Sequence, residues 1–170
     1  LYEEINNGAQ AYAAYENILK NSPDFEMEFN CRLNMALNSW RAGNGSPQKA
    51  FASLEKMAKE EKNYEYRDQI YYAMAEIALE QGEKSEAIAL FKESLSYNSS
   101  NTLQKAESYL ALADLFYDGE KYVPAKLYYD STASVMKKSD ERFLRVNSLS
   151  TNLEDIAKNI QIIENSDSLL

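Results

Sequence analysis

Alanine recurs along this 170-residue chain at almost even intervals. The four positions are Ala11, Ala50, Ala87 and Ala125, separated by 39, 37 and 38 residues. Four positions after each alanine stands a large apolar residue, at Tyr15, Leu54, Phe91 and Tyr129. Residues four apart share one face of a helix, so each pair places a small side chain beside a bulky one. Self-similarity with a period of roughly 20–50 residues is typical of stacked repeat units.

Each unit has the pattern of two helices joined by a turn. In the third unit, apolar residues from Tyr71 to Leu79 have helical spacing, and Gly82 is a stop signal for that helix. A second helix then carries Ala87 and Phe91 on one side. The whole chain has only five glycines and three prolines, which leaves long stretches available for helix.

After residue 140 the pattern changes to one apolar stripe. Its members are spaced 3, 4, 3, 4 and 3 residues apart, at Val146, Leu149, Leu153, Ile156, Ile160 and Ile163. Such a stripe on a single long helix has to be buried, and the end of the fourth unit is the simplest partner. A coiled-coil seam, which has the same spacing, is the alternative. We therefore expect an all-α protein with an array of four helix pairs over 1–140, the first truncated, and a capping helix over 141–170 in the same domain.

This pattern resembles the tetratricopeptide repeat (TPR) family. In the third unit the family's small or aromatic positions are occupied by Ala75, Ala78, Gly82, Ala87 and Phe91. The matching residues are Ala113, Phe116, Ala125 and Tyr129 in the fourth unit, Trp40, Ala50 and Leu54 in the second, and Tyr2, Ala11 and Tyr15 in the first, where Pro23 falls at the end of the family's second helix. The family period is about 34 residues, so the longer spacing here implies longer helices or loops. The resemblance covers 1–137 and implies a right-handed TPR-like α-solenoid of helix hairpins with a long C-terminal capping helix.

Two further segments, 128–132 and 160–169, resemble the TPR-containing gliding-motility lipoproteins of the Bacteroidota type IX secretion system. This resemblance implies an adaptor that faces the periplasm, is anchored to the outer membrane in the full-length protein, and links secretion or motor components through protein contacts. Because the chain begins at Leu1, we expect it to be a fragment, with any anchor outside it.

Charge and composition narrow the class of partner. The net charge of −9 argues against nucleic acid and against an anionic membrane surface. No apolar run approaches the ~20 residues that span a bilayer. The remaining class is a protein or peptide partner, and an acidic protein favours a basic one.

Catalytic signatures are missing from the sequence. The chain has no histidine, so the commonest general base and metal ligand is absent. No serine has a nucleophile-elbow context, and no glycine-rich phosphate loop occurs. The single cysteine, Cys31, is interpreted as a small buried hydrophobe, and no disulfide can form within the chain. We expect a non-enzymatic protein without a cofactor.

The TPR resemblance implies a concave groove lined by the first helices. The matching positions are Asn34, Asn38 and Arg41 in the second unit, Tyr72, Glu76 and Leu79 in the third, and Leu110, Asp114 and Tyr117 in the fourth. The groove would be rich in amides at one end and acidic at the other, which suits a basic or mixed extended segment. The alternative is that these side chains form only a solvated helix face.

The sequence offers three other candidate sites: a metal site, a groove for acidic C-terminal tails, and an aromatic surface. A divalent metal between Glu76, Asp114 and Asp118 lacks the compact glycine-containing loop of calcium sites. A groove for acidic C-terminal tails would be opposed by Glu76 and Asp114. Tyr64 and Tyr66, between the second and third units, are expected to be exposed and could serve an interface or pack within a loop. The rival functions are an architectural spacer whose groove is empty, and a small-ligand-binding or enzymatic helical domain.

Overall fold

The computed structural model describes residues 8–21, 23–39, 45–97 and 100–167. Most of these residues lie in α-helices, and none of them lies in a strand. The helices are α1 Gly8–Lys20, α2 Phe25–Ser39, α3 Pro47–Lys59, α4 Arg67–Glu80, α5 Lys84–Ser96, α6 Thr102–Asp118, α7 Tyr122–Val135 and α8 Phe143–Asp167, with a 3₁₀ helix, Glu61–Tyr66, between α3 and α4. The predicted all-α class is confirmed.

The four repeat alanines are all buried. Ala87 and Ala125 have no exposed surface, and Ala11 and Ala50 are at most 3% exposed. The bulky residues four positions later are also buried at Leu54, Phe91 and Tyr129. Tyr15, the fourth of these bulky residues, is half-buried. Three of the four pairs therefore lie wholly inside the helix packing, where a methyl group lets helices approach closely while the larger residue fills the adjoining space.

The chain divides into two compact units, residues 1–90 and residues 91–170. The core of residues 1–90 is built on Phe29, Leu54 and Ile70. Tyr66 packs on this core, with its ring centroid 4.5 Å from that of Phe29. The expectation that Tyr66 is exposed is therefore wrong, because the 3₁₀ helix turns its ring inward, whereas Tyr64 is exposed as expected.

The core of residues 91–170 joins α6, α7 and α8. It includes Leu110, Tyr129 and Val146. The stripe of α8 is buried at Val146 and Leu153, but Ile156 and Ile163 are 44% and 60% exposed. Helix α8 has 25 residues and α7 has 14, so the shorter helix covers only part of that stripe.

A residue in the left-handed conformation follows both α4 and α6, but only after α4 is that residue the glycine of the turn. At the end of α4, Gly82 has φ 81°, and the Glu83 N–H donates to the Ala78 carbonyl at 2.9 Å. This is the Schellman arrangement that favours glycine. At the end of α6 the left-handed position falls on Glu120, with φ 57°, and not on Gly119.

Candidate interaction surfaces

The helix pairs α4–α5 and α6–α7 correspond residue by residue at a spacing of 38. Ala87 corresponds to Ala125 and Phe91 to Tyr129, and all four are buried. The left-handed turn residues, Gly82 and Glu120, are also 38 apart.

Asp114 lies where side chains from three helices meet. The Tyr129 hydroxyl on α7 donates to Asp114 Oδ1 at 2.6 Å, and Arg145 Nη2 on α8 donates to the same oxygen at 2.8 Å. Burial, and then the bond to Asp114, raise the pKa of the Tyr129 hydroxyl well above its ordinary value. Arg145 therefore compensates the charge of Asp114, which reduces the negative potential expected at this end of the groove.

Two further ion pairs link α8, and the residue just before it, to α6 and α7. Both terminal nitrogens of Arg142 donate to Glu107, at 2.8 and 2.6 Å, and Nη2 also donates to Asp140. Hydrogen bonds from Arg142 lower the pKa of Asp140 to about 2. On α7, the Lys126 ammonium lies 2.6 Å from Glu154. A bidentate arginine–carboxylate pair is geometrically specific, so these contacts define where α8 lies on its neighbours.

The other two groove positions within residues 91–170, Leu110 and Tyr117, differ in exposure. Leu110 is 6% exposed and belongs to the core, because it faces α7 and α8. Tyr117 is 37% exposed, and its ring lies edge-on to Tyr122 and to Tyr129. Tyr117 is therefore the residue of this set whose aromatic surface reaches solvent.

Within residues 1–90, Asn34 and Asn38 lie one turn apart on α2. The Asn38 amide donates to the Asn34 carbonyl at 2.9 Å, and Asn38 is 8% exposed. Its side chain thus satisfies the backbone of its own helix and offers a partner little surface, whereas Asn34 is half-buried. Arg41 lies outside the described residues.

Tyr72, Glu76 and Leu79 lie on consecutive turns of α4, and each is half-buried. Helix α4 contacts α2 within this unit. The structure therefore brings Asn34 and these three residues onto two packed helices of one unit.

The structure describes the surroundings of Cys31 and of the acidic side chains considered as metal ligands. Cys31 is 4% exposed, and burial raises the pKa of its thiol. A raised pKa disfavours the thiolate, the form that acts as nucleophile. Among the described residues, no group of three or more Cys, Asp and Glu side chains could hold a metal ion. Likewise, no helix in the described part of the chain is both long and apolar enough to cross a membrane.

A depression of about 410 Å³ opens between α1, α2 and α3. Its rim carries four cations, Arg32, Lys49, Lys56 and Lys62, together with Glu60. This feature was not predicted from the sequence. The available signal was the spacing of Lys49 and Lys56, which are seven residues apart and therefore lie on one edge of α3.

The opposite edge of α3 borders an acidic cleft of about 280 Å³. Glu55, Glu83 and Glu86 line it beside Phe51. A hydrogen bond with Glu83, burial and the charges of Glu83 and Glu55 raise the pKa of Glu86. Helix α3 thus separates a basic depression from an acidic cleft within one unit.

Compared with protein-family models and with curated proteins, the chain matches none.

Proposed function

We propose that this chain is a non-enzymatic protein–protein interaction module. In this proposal the helix pairs form a right-handed TPR-like α-solenoid, α8 caps its C-terminal end, and the exposed sides of the helices bind a partner protein or peptide. Stacked repeats of this kind present extended surfaces, and their stability comes from contacts between neighbours.

The observation that carries the proposal is the 38-residue correspondence between α4–α5 and α6–α7. Both pairs bury an alanine and an aromatic residue at the same places, and both carry a carboxylate, Glu76 or Asp114, at the same place on the first helix. A repeat that keeps both its buried residues and the carboxylate on its first helix favours a scaffold that binds another protein. Large apolar side chains that remain exposed, such as Met27 and Leu127, add contact surface of the kind that interfaces use.

Within residues 1–90 the proposed contact residues are Asn34, Tyr72 and Glu76. Within residues 91–170 the proposed contact residue is Tyr117. Asp114 is a contact residue only where a partner competes with Arg145 for its carboxylate.

We also propose a cellular setting from the resemblance of 128–132 and 160–169 to the gliding-motility lipoproteins. The chain would be an adaptor region of a bacterial secretion and gliding complex in the envelope. The full-length protein would be anchored to the outer membrane and face the periplasm.

Cross-linking capture from the envelope fraction tests the proposal. The full chain, the variant Glu76→Lys and the control Glu93→Lys are compared, since Glu93 is an exposed carboxylate on α5. Asp114→Lys is unsuitable because it would remove the bonds to Tyr129 and Arg145 as well as a surface charge.

We expect a protein that the unmodified chain and Glu93→Lys capture equally and that Glu76→Lys captures less, with circular dichroism verifying that all three are folded at the temperature of the assay. Capture no greater than that of the tag alone would overturn the proposal and favour an architectural spacer. Equal capture by all three would remove Glu76 from the binding surface.

A further inference from the structure

The depression between α1, α2 and α3 combines an apolar floor with a cationic rim. Its floor is formed by Leu19, Met35, Ala36, Ala50 and Met57. Ala36 and Ala50 are 6% and 2% exposed, so small side chains at the base leave the space above them open. A volume of about 410 Å³ falls in the range of ligand-binding clefts.

The charge of the rim is opposite to that of the protein. Four cations and one carboxylate, Glu60, give the lining a net charge of +3, whereas the whole chain carries −9. A cleft lined mainly by one sign of charge concentrates its field on ligands of the opposite sign. The local charge therefore selects an anionic ligand.

Two of the four rim cations, Lys49 and Lys56, are available to a ligand. Lys49 and Lys56 are exposed and form no ion pair with any described residue. Lys62 is paired with Glu28 at 3.9 Å and with Glu60 at 3.6 Å, so it is not counted among the available cations. Arg32 is bonded at 2.8 Å to the half-buried Glu28, one turn earlier on α2, and its own side chain is 55% exposed. Such pairs contribute little to stability, so exchange of Glu28 for a ligand carboxylate costs little.

The cations are spread around the apolar floor. Lys49 and Lys56 are two helical turns apart, about 10 Å along α3, and Arg32 lies on α2. Cations distributed in this way can pair with several carboxylates at once. Successive acidic side chains of a peptide can reach both lysines while an apolar side chain enters the floor between them.

We propose that this depression binds an acidic peptide segment of a partner protein, with an apolar side chain on the floor and carboxylates on Arg32, Lys49 and Lys56. The inference rests on the proposed interaction function and names the chemistry of one partner segment. That chemistry differs from the basic segment expected for the groove residues, because α3 carries its cations on one edge only.

Selection from a library of random displayed peptides on the immobilised full chain tests this assignment. Selected sequences are then synthesised and titrated against three proteins. These are the unmodified chain, the pocket variant Lys49→Glu/Lys56→Glu, and the control Lys59→Glu/Lys84→Glu, which makes the same charge change at exposed positions outside the depression. Circular dichroism verifies that the three proteins fold alike.

We expect the selected peptides to be enriched in Asp and Glu around a large apolar residue. Their affinity should fall about tenfold or more for the pocket variant, because two like-charge contacts replace two attractive ones, and much less for the control. Replacing the apolar residue by Ser should also weaken binding.

Three results would overturn the assignment: no selected peptide, peptides without acidic enrichment, or equal binding to the pocket variant and the unmodified chain. Displacement of the peptides by millimolar inorganic phosphate, with no effect of the apolar residue, would also overturn it and indicate a site for small anions. If the protein captured from the envelope binds the pocket variant normally, this assignment fails while the interaction function stands.

Discussion

The hydroxyl of Tyr129 on α7 donates a 2.6 Å hydrogen bond to Asp114 on α6, one helix away and 15 residues earlier in the chain. Tyr129 is fully buried, and it occupies the position that Phe91 occupies in the preceding helix pair. The repeat thus keeps the aromatic ring at both positions and adds a polar contact at the second one. Because Arg145 bonds the same carboxylate, this contact also links α7 to the position of α8.

Tyr129→Phe should lower the free energy of unfolding by about 1.5–2 kcal/mol, since it removes a buried bond to a charged acceptor. The control is Tyr128→Phe, whose ring stacks on Phe116 at 5.5 Å and whose hydroxyl has no hydrogen bond among the described residues. Urea unfolding followed by circular dichroism measures both. Equal effects of the two substitutions would contradict the role assigned to the Tyr129 hydroxyl.

Ala87→Leu should destabilise the fold by about 1–3 kcal/mol, because Ala87 has no exposed surface and added methylene groups overpack a core. Ala89→Leu makes the same change on the same helix at an exposed position and should stay within about 0.5 kcal/mol of the unmodified protein. Thermal unfolding of both variants tests the close approach at the repeat alanine. A harmless Ala87→Leu would show that the helices do not need a small residue there.

Glu120→Gly should stabilise the part of the fold formed by residues 91–170 by about 0.5–1 kcal/mol. The substitution relieves a left-handed conformation that L-residues disfavour, at some cost in chain entropy. Gly82→Ala, at the equivalent turn with φ 81°, should do the reverse and cost at least about 1 kcal/mol. Chemical denaturation of the two variants gives both values, and a loss of stability in Glu120→Gly would argue against the turn geometry.

Glu154 should make the contact between α7 and α8 sensitive to acid. Hydrogen bonds from Lys126 and then Lys158 lower its pKa from 4.5 to about 2. A depressed pKa in the folded state stabilises the fold above pH 4.5, and this contribution is lost as the pH falls from 4.5 towards 2. The stability difference between the unmodified protein and Glu154→Gln should therefore shrink across that window.

Asp155→Asn, which removes the adjacent exposed carboxylate, serves as the matched control for the loss of one negative charge. Denaturant midpoints from pH 7 to pH 2 provide the measurement. A Glu154→Gln difference that stays constant across the window would show that the ion pair with Lys126 is not responsible.

Local patterns in the sequence were sufficient for the helices and for their inward faces. The burial of Ala50, Ala87 and Ala125 follows from helical spacing alone, and so does the end of α4 at Gly82. The shift of the left-handed residue from Gly119 to Glu120 was not predictable in the same way. It places the left-handed residue 38 positions after Gly82, in the same register as the helix pairs, although the glycine itself lies one position earlier.

The charged contacts were the least predictable part. Arg142 reaches Glu107 across 35 residues and Arg145 reaches Asp114 across 31, and both pairings depend on how α8 lies against α6. An apolar stripe specifies which face of a helix is buried but not its position along a neighbour. For the same reason the sequence indicated an acidic end of the groove without the cation that compensates it.

Hydrogen exchange on the full chain, with and without the protein captured from the envelope, tests the interaction function most directly. We predict that binding slows exchange of amides in α2, α3, α4 or α6, where the proposed contact residues lie, and that an excess of captured protein saturates the effect. Unchanged exchange throughout α1 to α7 at saturating partner would contradict the account, because it would leave the repeat surface without a role in binding.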